Sequence, residues 1–187
     1  MSRRLLPVLI LISLVAAGCR EPAGLHRVAM PVGEFTLVGD DGNEFRLSSL
    51  RGRPVLLFFG YTHCPDACPT MMSKVAISYR LAGEKATVVP TLFVSVDPRD
   101  TPPLLKQYVS YYGAVPARGL TGTKAQIDAV VRQFGASYEI RDTGSAAGPM
   151  VDHTIRLYLI DGEGNVAAFF DSIAAPETIA KELKAKL

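Results

Sequence analysis

Residues 55–72 read VLLFFGYTHCPDACPTMM, a strand, a two-cysteine turn and the opening of a helix within eighteen positions. Val55, Leu56, Leu57, Phe58 and Phe59 form an apolar run without period-two alternation, the pattern of a strand covered on both faces by helices. This strand is therefore expected at the centre of a sheet. Gly60 closes the run, and Cys64 and Cys68 each precede a proline, which disfavours helical backbone angles for both and predicts an exposed turn. Pro69 suits a first helical position, so the pattern places Cys68 at or near the N-cap of a helix running to about Leu81. Unpaired N–H groups and the helix dipole at such a site favour thiolate, the form that attacks and binds metals.

Before the central strand, Phe35, Leu37, Phe45 and Leu47 alternate with polar residues around Asp40-Asp41-Gly42-Asn43, which predicts a β-hairpin. After the cysteine helix, Val88 to Val96 reads as a second apolar strand, and two strands joined by a helix imply a parallel pair. Thr101 and Pro102 open a helix with Leu104, Leu105, Tyr108, Val109 and Tyr112 on its core face. Gly119-Leu120-Thr121-Gly122 reads as a loop. Thr123 with Gln126 three residues on is a capping box for a helix carrying Ile127, Val130, Val131 and Phe134, which Gly135 ends. Tyr138 to Ile140 suggests a short strand, and Asp142 to Gly148 a mobile polar segment. His153 falls in the loop before Ile155 to Ile160, which the Asp161–Asn165 turn joins to a strand over Val166 to Phe170. Pro176 opens a last helix with Ile179, Leu183 and Leu187 on one side. The expected class is α/β, a thioredoxin-like fold with an added N-terminal β-hairpin and an inserted helix, and by fold analogy it brings His153 towards Cys64 and Cys68.

The N-terminus reads as an export signal: Arg3 and Arg4 precede the apolar run Leu5 to Ala17, and Ala16-Ala17-Gly18 leads into Cys19. The run is well short of the roughly 20 residues a spanning helix needs. The small residues before a cysteine resemble a bacterial lipoprotein cleavage site, with Cys19 as the lipidated first residue; the alternative is an ordinary signal peptide cut nearby. The expected organisation is residues 1–18 as lipoprotein signal, 19–30 as a polar tether and 31–187 as one domain. A net charge of +2 with the signs mixed leaves no basic stripe, so nucleic acid is not an expected partner. With Cys19 in lipid, Cys64 and Cys68 are the two remaining cysteines. A lone structural disulfide between them would close too short a loop to restrict the unfolded chain much, which favours chemistry.

Two thiolates and a candidate imidazole form a soft donor set that suits Cu(I) better than magnesium or calcium, while a structural zinc site lacks its fourth ligand. The three-residue spacing leaves the sulfurs room to chelate a metal or to form a disulfide. Taken alone, His153 is more often a hydrogen-bonded loop residue than a ligand. Asp152 either accepts the second N–H of that imidazole or is solvated, the latter being the plainer reading. His63 is expected to face solvent, and Met71 and Met72 to pack in the core.

These residues resemble the Sco/SenC family of copper chaperones for cytochrome c oxidase. The resemblance rests on Gly60-Tyr61-Thr62-His63-Cys64-Pro65-Asp66-Ala67-Cys68-Pro69-Thr70, on Val151-Asp152-His153-Thr154 with Tyr158-Leu159-Ile160-Asp161, and on Ser95-Val96-Asp97-Pro98 and Gly119-Leu120-Thr121-Gly122. It implies that Cys64, Cys68 and His153 bind one copper ion, as Cu(I) or Cu(II), for the CuA centre of oxidase subunit II. It also implies a bacterial cell membrane location, lipid-anchored and facing the periplasm, with another periplasmic copper chaperone or a thiol reductant as further partners. One departure is that Asp97-Pro98 runs directly into Arg99-Asp100-Thr101, where the family commonly carries an extra residue. The competing reading is a thiol-disulfide oxidoreductase or redox sensor acting on periplasmic cysteines, with Cys64 and Cys68 as the redox pair and His153 incidental.

Overall fold

The computed structural model describes residues 21–113, 115–144 and 148–187. The expected signal, the lipidation site Cys19 and positions 145–147 of the 142–148 segment lie outside the described residues. The central strand is β4 (Val55–Gly60), and all six of its residues are buried. Since successive side chains point to opposite faces, both faces of the sheet are covered there. β4 runs parallel to β5 (Thr91–Ser95) and antiparallel to β9 (Leu157–Ile160), which pairs in turn with β10 (Asn165–Phe170). With α1 (Ala67–Ala82) between β4 and β5 and α4 (Pro176–Ala185) after β10, these strands make the thioredoxin-like core.

Additions extend both edges. Beyond β5 come β6 (Ala117–Thr121), β2 (Thr36–Gly39) and β3 (Glu44–Arg46); beyond β10 comes β1 (Leu25–Pro31), giving an eight-stranded sheet. The β2–β3 pair is the expected hairpin, with Phe35, Leu37, Phe45 and Leu47 all buried. Between β5 and β9 the chain has two helices, α2 (Pro102–Ser110) and α3 (Lys124–Gln133), so the inserted helix is present. Thr123 caps α3 through the full reciprocal capping box. β7 (Tyr138–Arg141) and β8 (Met150–His153) form a separate two-stranded sheet.

Several expectations are corrected. The stretch read as a tether, 19–30, instead holds most of β1, which pairs with β10 and is tied to α4 by Arg27 donating to both carboxylate oxygens of Glu182 at 3.1 and 2.7 Å. The strand expected from Val88 starts only at Thr91: Glu84–Val88 is a 3-10 turn, and Pro90 has no N–H to give a ladder. The segment Gly119–Gly122 is strand rather than loop up to Thr121, where β6 joins β5 and β2. Gly119 is there for close packing, since a Cβ would sit 2.6 Å from that of Leu105. Leu104 flanks the buried face of α2 and is 39% exposed, and Leu187 lies past the end of α4, 50% exposed.

Candidate metal centre

Cys64 lies in the turn between β4 and α1, half-buried, with its N–H directed at the Tyr61 carbonyl at 3.3 Å. Cys68 lies near the helix N-cap as expected, but inside the helix rather than on the loop. It is the second residue of α1, whose N-cap is Asp66, and it is completely buried. Pro69 is then the third helical residue, where no intrahelical bond needs its missing N–H, and burial against the end of β4 overrides the pre-proline preference. Gly60 makes room for the sulfur: a Cβ there would lie 2.8 Å from the Cys68 Sγ and equally close to Phe93. Both thiols are free. The Cys68 backbone N–H points at the Cys64 sulfur at 3.4 Å, so the helix terminus supplies a donor to that thiolate.

His153 arrives from β8, as the last residue of a strand rather than in a loop. Just beyond it, the Thr154 N–H donates to the Ser137 carbonyl and the Ser137 N–H to Thr154 Oγ1, each at 3.0 Å. The His153 ring stands edge-on to Phe58 and Tyr61, each with centroids 5.9 Å away. Its Nδ1 lies 3.2 Å from the Thr154 carbonyl, and its Nε2 3.3 Å from the Cys68 Sγ. A carbonyl has no proton to give, so Nδ1 carries a hydrogen towards Thr154, and Nε2 is the ring nitrogen turned to the sulfurs. The two sulfurs and an imidazole nitrogen lie within 4.8 Å of one another. Cys64 and His153 border a solvent-open concavity of about 370 Å³ whose rim includes Tyr61, Met150 and Ile155, while Cys68 lies buried behind it.

The cysteine pair is electrostatically asymmetric. The Cys64 thiol is brought down to about 3, first by its hydrogen bond with Cys68, with His153 and two backbone N–H groups also lowering it while burial opposes them. Cys68 is pushed up by the bond to Cys64 and by burial. The pair thus holds one proton between two sulfurs, its charge on the more accessible one.

Other expected residues stay away. Asp152 does not orient His153; it pairs with Arg141 at 2.6 Å on the exposed side of β8. His63 is half-exposed and belongs to a second group with Asp97 and Asp100. Met71 and Met72 are buried in the core. Sequence reasoning assigned no role to Arg99 and Asp100, which reach towards both halves of the centre; their signal was three charges, Asp97, Arg99 and Asp100, closely following a fully buried strand.

Residues 26–187 match the SCO1/SenC family model. The protein SenC of Rhodobacter capsulatus is 38% identical over 165 residues, covering 88% of this chain and 73% of that protein. A copper-bound structure of Bradyrhizobium japonicum ScoI shares 37% identity with a TM-score of 0.76, covering 84% of this chain and 99% of that one. A SCO1/SenC family lipoprotein from Bacillus anthracis, 25% identical, superimposes with a TM-score of 0.74 over 89% of this chain and 98% of its own.

Proposed function

The chain belongs to the SCO1/SenC family, and from that premise we propose that it is a membrane-tethered metallochaperone that carries one copper ion on Cys64, Cys68 and His153. The observation that carries the reading is the convergence of two sulfurs and an imidazole nitrogen within 4.8 Å. Soft sulfur and borderline nitrogen donors suit Cu(I), and copper-bound ScoI supports the same cargo. The ion is cargo, held by Cys64 and Cys68 as thiolates and by His153 through Nε2, the ring nitrogen turned to the sulfurs while Nδ1 faces the Thr154 carbonyl. The proposed recipient is the CuA centre of cytochrome c oxidase subunit II, the target the family resemblance implies.

The anchor is part of the proposal. Among the described residues no helix is long and apolar enough to cross a membrane, and the Bacillus anthracis relative is a lipoprotein. Lipidated Cys19 would hold the domain at the bacterial cell membrane, facing the periplasm. Cys19→Ser is expected to abolish lipid labelling and membrane partition.

The deciding measurement is copper stoichiometry of the purified protein in its reduced and disulfide forms. About one Cu(I) per reduced chain is expected, and almost none once a Cys64–Cys68 disulfide removes two donors. Equal binding by the oxidised form would overturn the ligand assignment. A second reading, thiol-disulfide exchange, draws support from the partly exposed, acid-shifted Cys64 beside a buried Cys68. His153→Ala separates the two: copper affinity collapses under the first, whereas exchange survives under the second.

A further inference from the structure

Shortly after β5, the stretch Asp97-Pro98-Arg99-Asp100 sends side chains to segments flanking both halves of the metal centre without supplying a sulfur or imidazole to it. The Asp100 side chain is completely buried. Its Oδ2 accepts from the Thr62 backbone N–H at 2.8 Å and from Ser95 Oγ at 2.6 Å, and its Oδ1 accepts from Thr62 Oγ1 at 2.6 Å. Thr62 stands two residues before Cys64 in the turn. Three donors answer the desolvation of this carboxylate, and the result is a fixed start for the cysteine turn.

Arg99 reaches the other way. The buried Asp97 carboxylate accepts from Arg99 Nε at 3.0 Å on each oxygen and from Nη2 at 2.6 Å, which locks the guanidinium plane. That same Nη2 donates to the Pro149 carbonyl at 2.8 Å. Pro149 immediately precedes β8, the strand that ends in His153. Since β7 and β8 form a sheet of their own, and an isolated two-stranded sheet is marginal in water, ties from outside decide where His153 stands.

We propose that the Asp97–Asp100 turn is a two-armed positioning element for the metal centre, in which Asp100 fixes the cysteine turn through Thr62 and Arg99 fixes the His153 strand through Pro149. As a statement about copper it rests on the metallochaperone reading; the placement itself is testable without metal. Neither residue touches the cargo. Each acts through the backbone of a residue next to a ligand-bearing segment, so the arms are separable.

The test uses the full chain, reduced and metal-free, with Asp100→Asn, Arg99→Ala and Arg99→Lys. Lysine keeps a charge beside Asp97 but lacks the fork that serves Asp97 and Pro149 together, and it covers the case in which the alanine variant fails to fold. Amide hydrogen exchange is expected to quicken at Thr62 in Asp100→Asn and at Met150–His153 in the Arg99 variants, each leaving the other segment at its wild-type rate. With Cu(I) bound, competition against a chelator should show each variant weakened roughly 10- to 100-fold, the usual scale for groups that orient ligands. In a His153→Ala background Arg99→Lys should cost nothing further, whereas Asp100→Asn keeps its full effect. Uniformly faster exchange, both variants loosening the same segment, wild-type behaviour, or additive losses for Arg99→Lys and His153→Ala would each overturn the proposal. If the wild-type chain takes up no copper, the metallochaperone reading fails, and the exchange pattern still decides the positioning.

Discussion

Cys64 and Cys68 are placed by what adjoins them in the chain: β4 ends at Gly60, α1 begins at Ala67, and six residues span the gap. His153 is placed from a distance, by a short strand whose ties come from Phe58 of β4, Tyr61, Ser137 and Arg99. One half of the centre is thus welded to the most buried strand of the sheet, while the other hangs on a two-stranded annex. The difference teaches where to expect local opening: the cysteine half is expected to resist it up to global unfolding, and the histidine half to open at lower cost.

The largest effect is expected where the halves meet. Phe58 is fully buried on β4, packs on Phe93 and faces the His153 ring. Phe58→Ala should destabilise the domain by about 3–5 kcal/mol, the range for truncating a core aromatic, as measured by urea unfolding. Because β4 bears on both halves, thiol protection and His153 strand protection should fall together; loss at the histidine half alone would break the comparison.

Val151 sharpens it. This is the buried residue of β8, and Val151→Ala removes two methyl-sized groups, about 2 kcal/mol by apolar transfer. Exchange at Met150–His153 should rise well before Cys68 becomes open to alkylation. Simultaneous exposure of Cys68 would show that the annex and the core unfold as one unit.

An effect smaller per pH unit follows from the shared proton of the cysteine pair. Folded, reduced and metal-free, the pair carries one proton, since Cys64 is lowered to about 3 and Cys68 is raised. Unfolded thiols carry two protons below about pH 8.5 and lose both above it. Stability should therefore rise with pH towards about 8.5, where the unfolded chain binds the extra proton, and fall beyond it, where the folded chain does. One proton sets a ceiling of about 1.4 kcal/mol per pH unit, reduced by solvent because Cys64 is only half-buried. The check is the urea midpoint of wild type minus that of Cys64→Ser between pH 5 and 10. A flat difference would remove the asymmetry of the pair.

The same contrast explains how much could be read from residues alone. The all-apolar β4, the β2–β3 hairpin and the α3 capping box declare themselves through local pattern, and all three form. Cys68 was legible as lying near the helix start, but the pre-proline rule put it on the loop, whereas packing beneath Gly60 draws it into the helix. β1 was unreadable as a strand because its pattern is mostly exposed and its partner, β10, lies some 140 positions on. β8 was missed for a related reason, since a four-residue strand with one buried side chain carries almost no periodicity. Arg99 and Asp100 look like ordinary turn residues until the fold brings Thr62 and Pro149 to them.

The smallest expected effect tests how far the histidine half depends on its neighbours. α3 reaches the annex through Asp128, which accepts from the Tyr138 hydroxyl at 2.7 Å, and Tyr138 pairs with His153 across β7 and β8. The helix in turn begins at Thr123, whose hydroxyl accepts from the Gln126 N–H while the Gln126 side chain accepts from the Thr123 N–H. Thr123→Ala removes half of that reciprocal cap and should cost about 1 kcal/mol. Fraying would start at Lys124, one turn from Asp128, and so weaken the hold on Tyr138 without touching β4 or α1. The expected result is a modest rise in exchange along Tyr138–Arg141 and Met150–His153, with Cys64 alkylation unchanged. Should Cys64 reactivity shift as much as the β7–β8 amides, the two halves of the centre would be coupled through α3, and the histidine half would not be the independently yielding one.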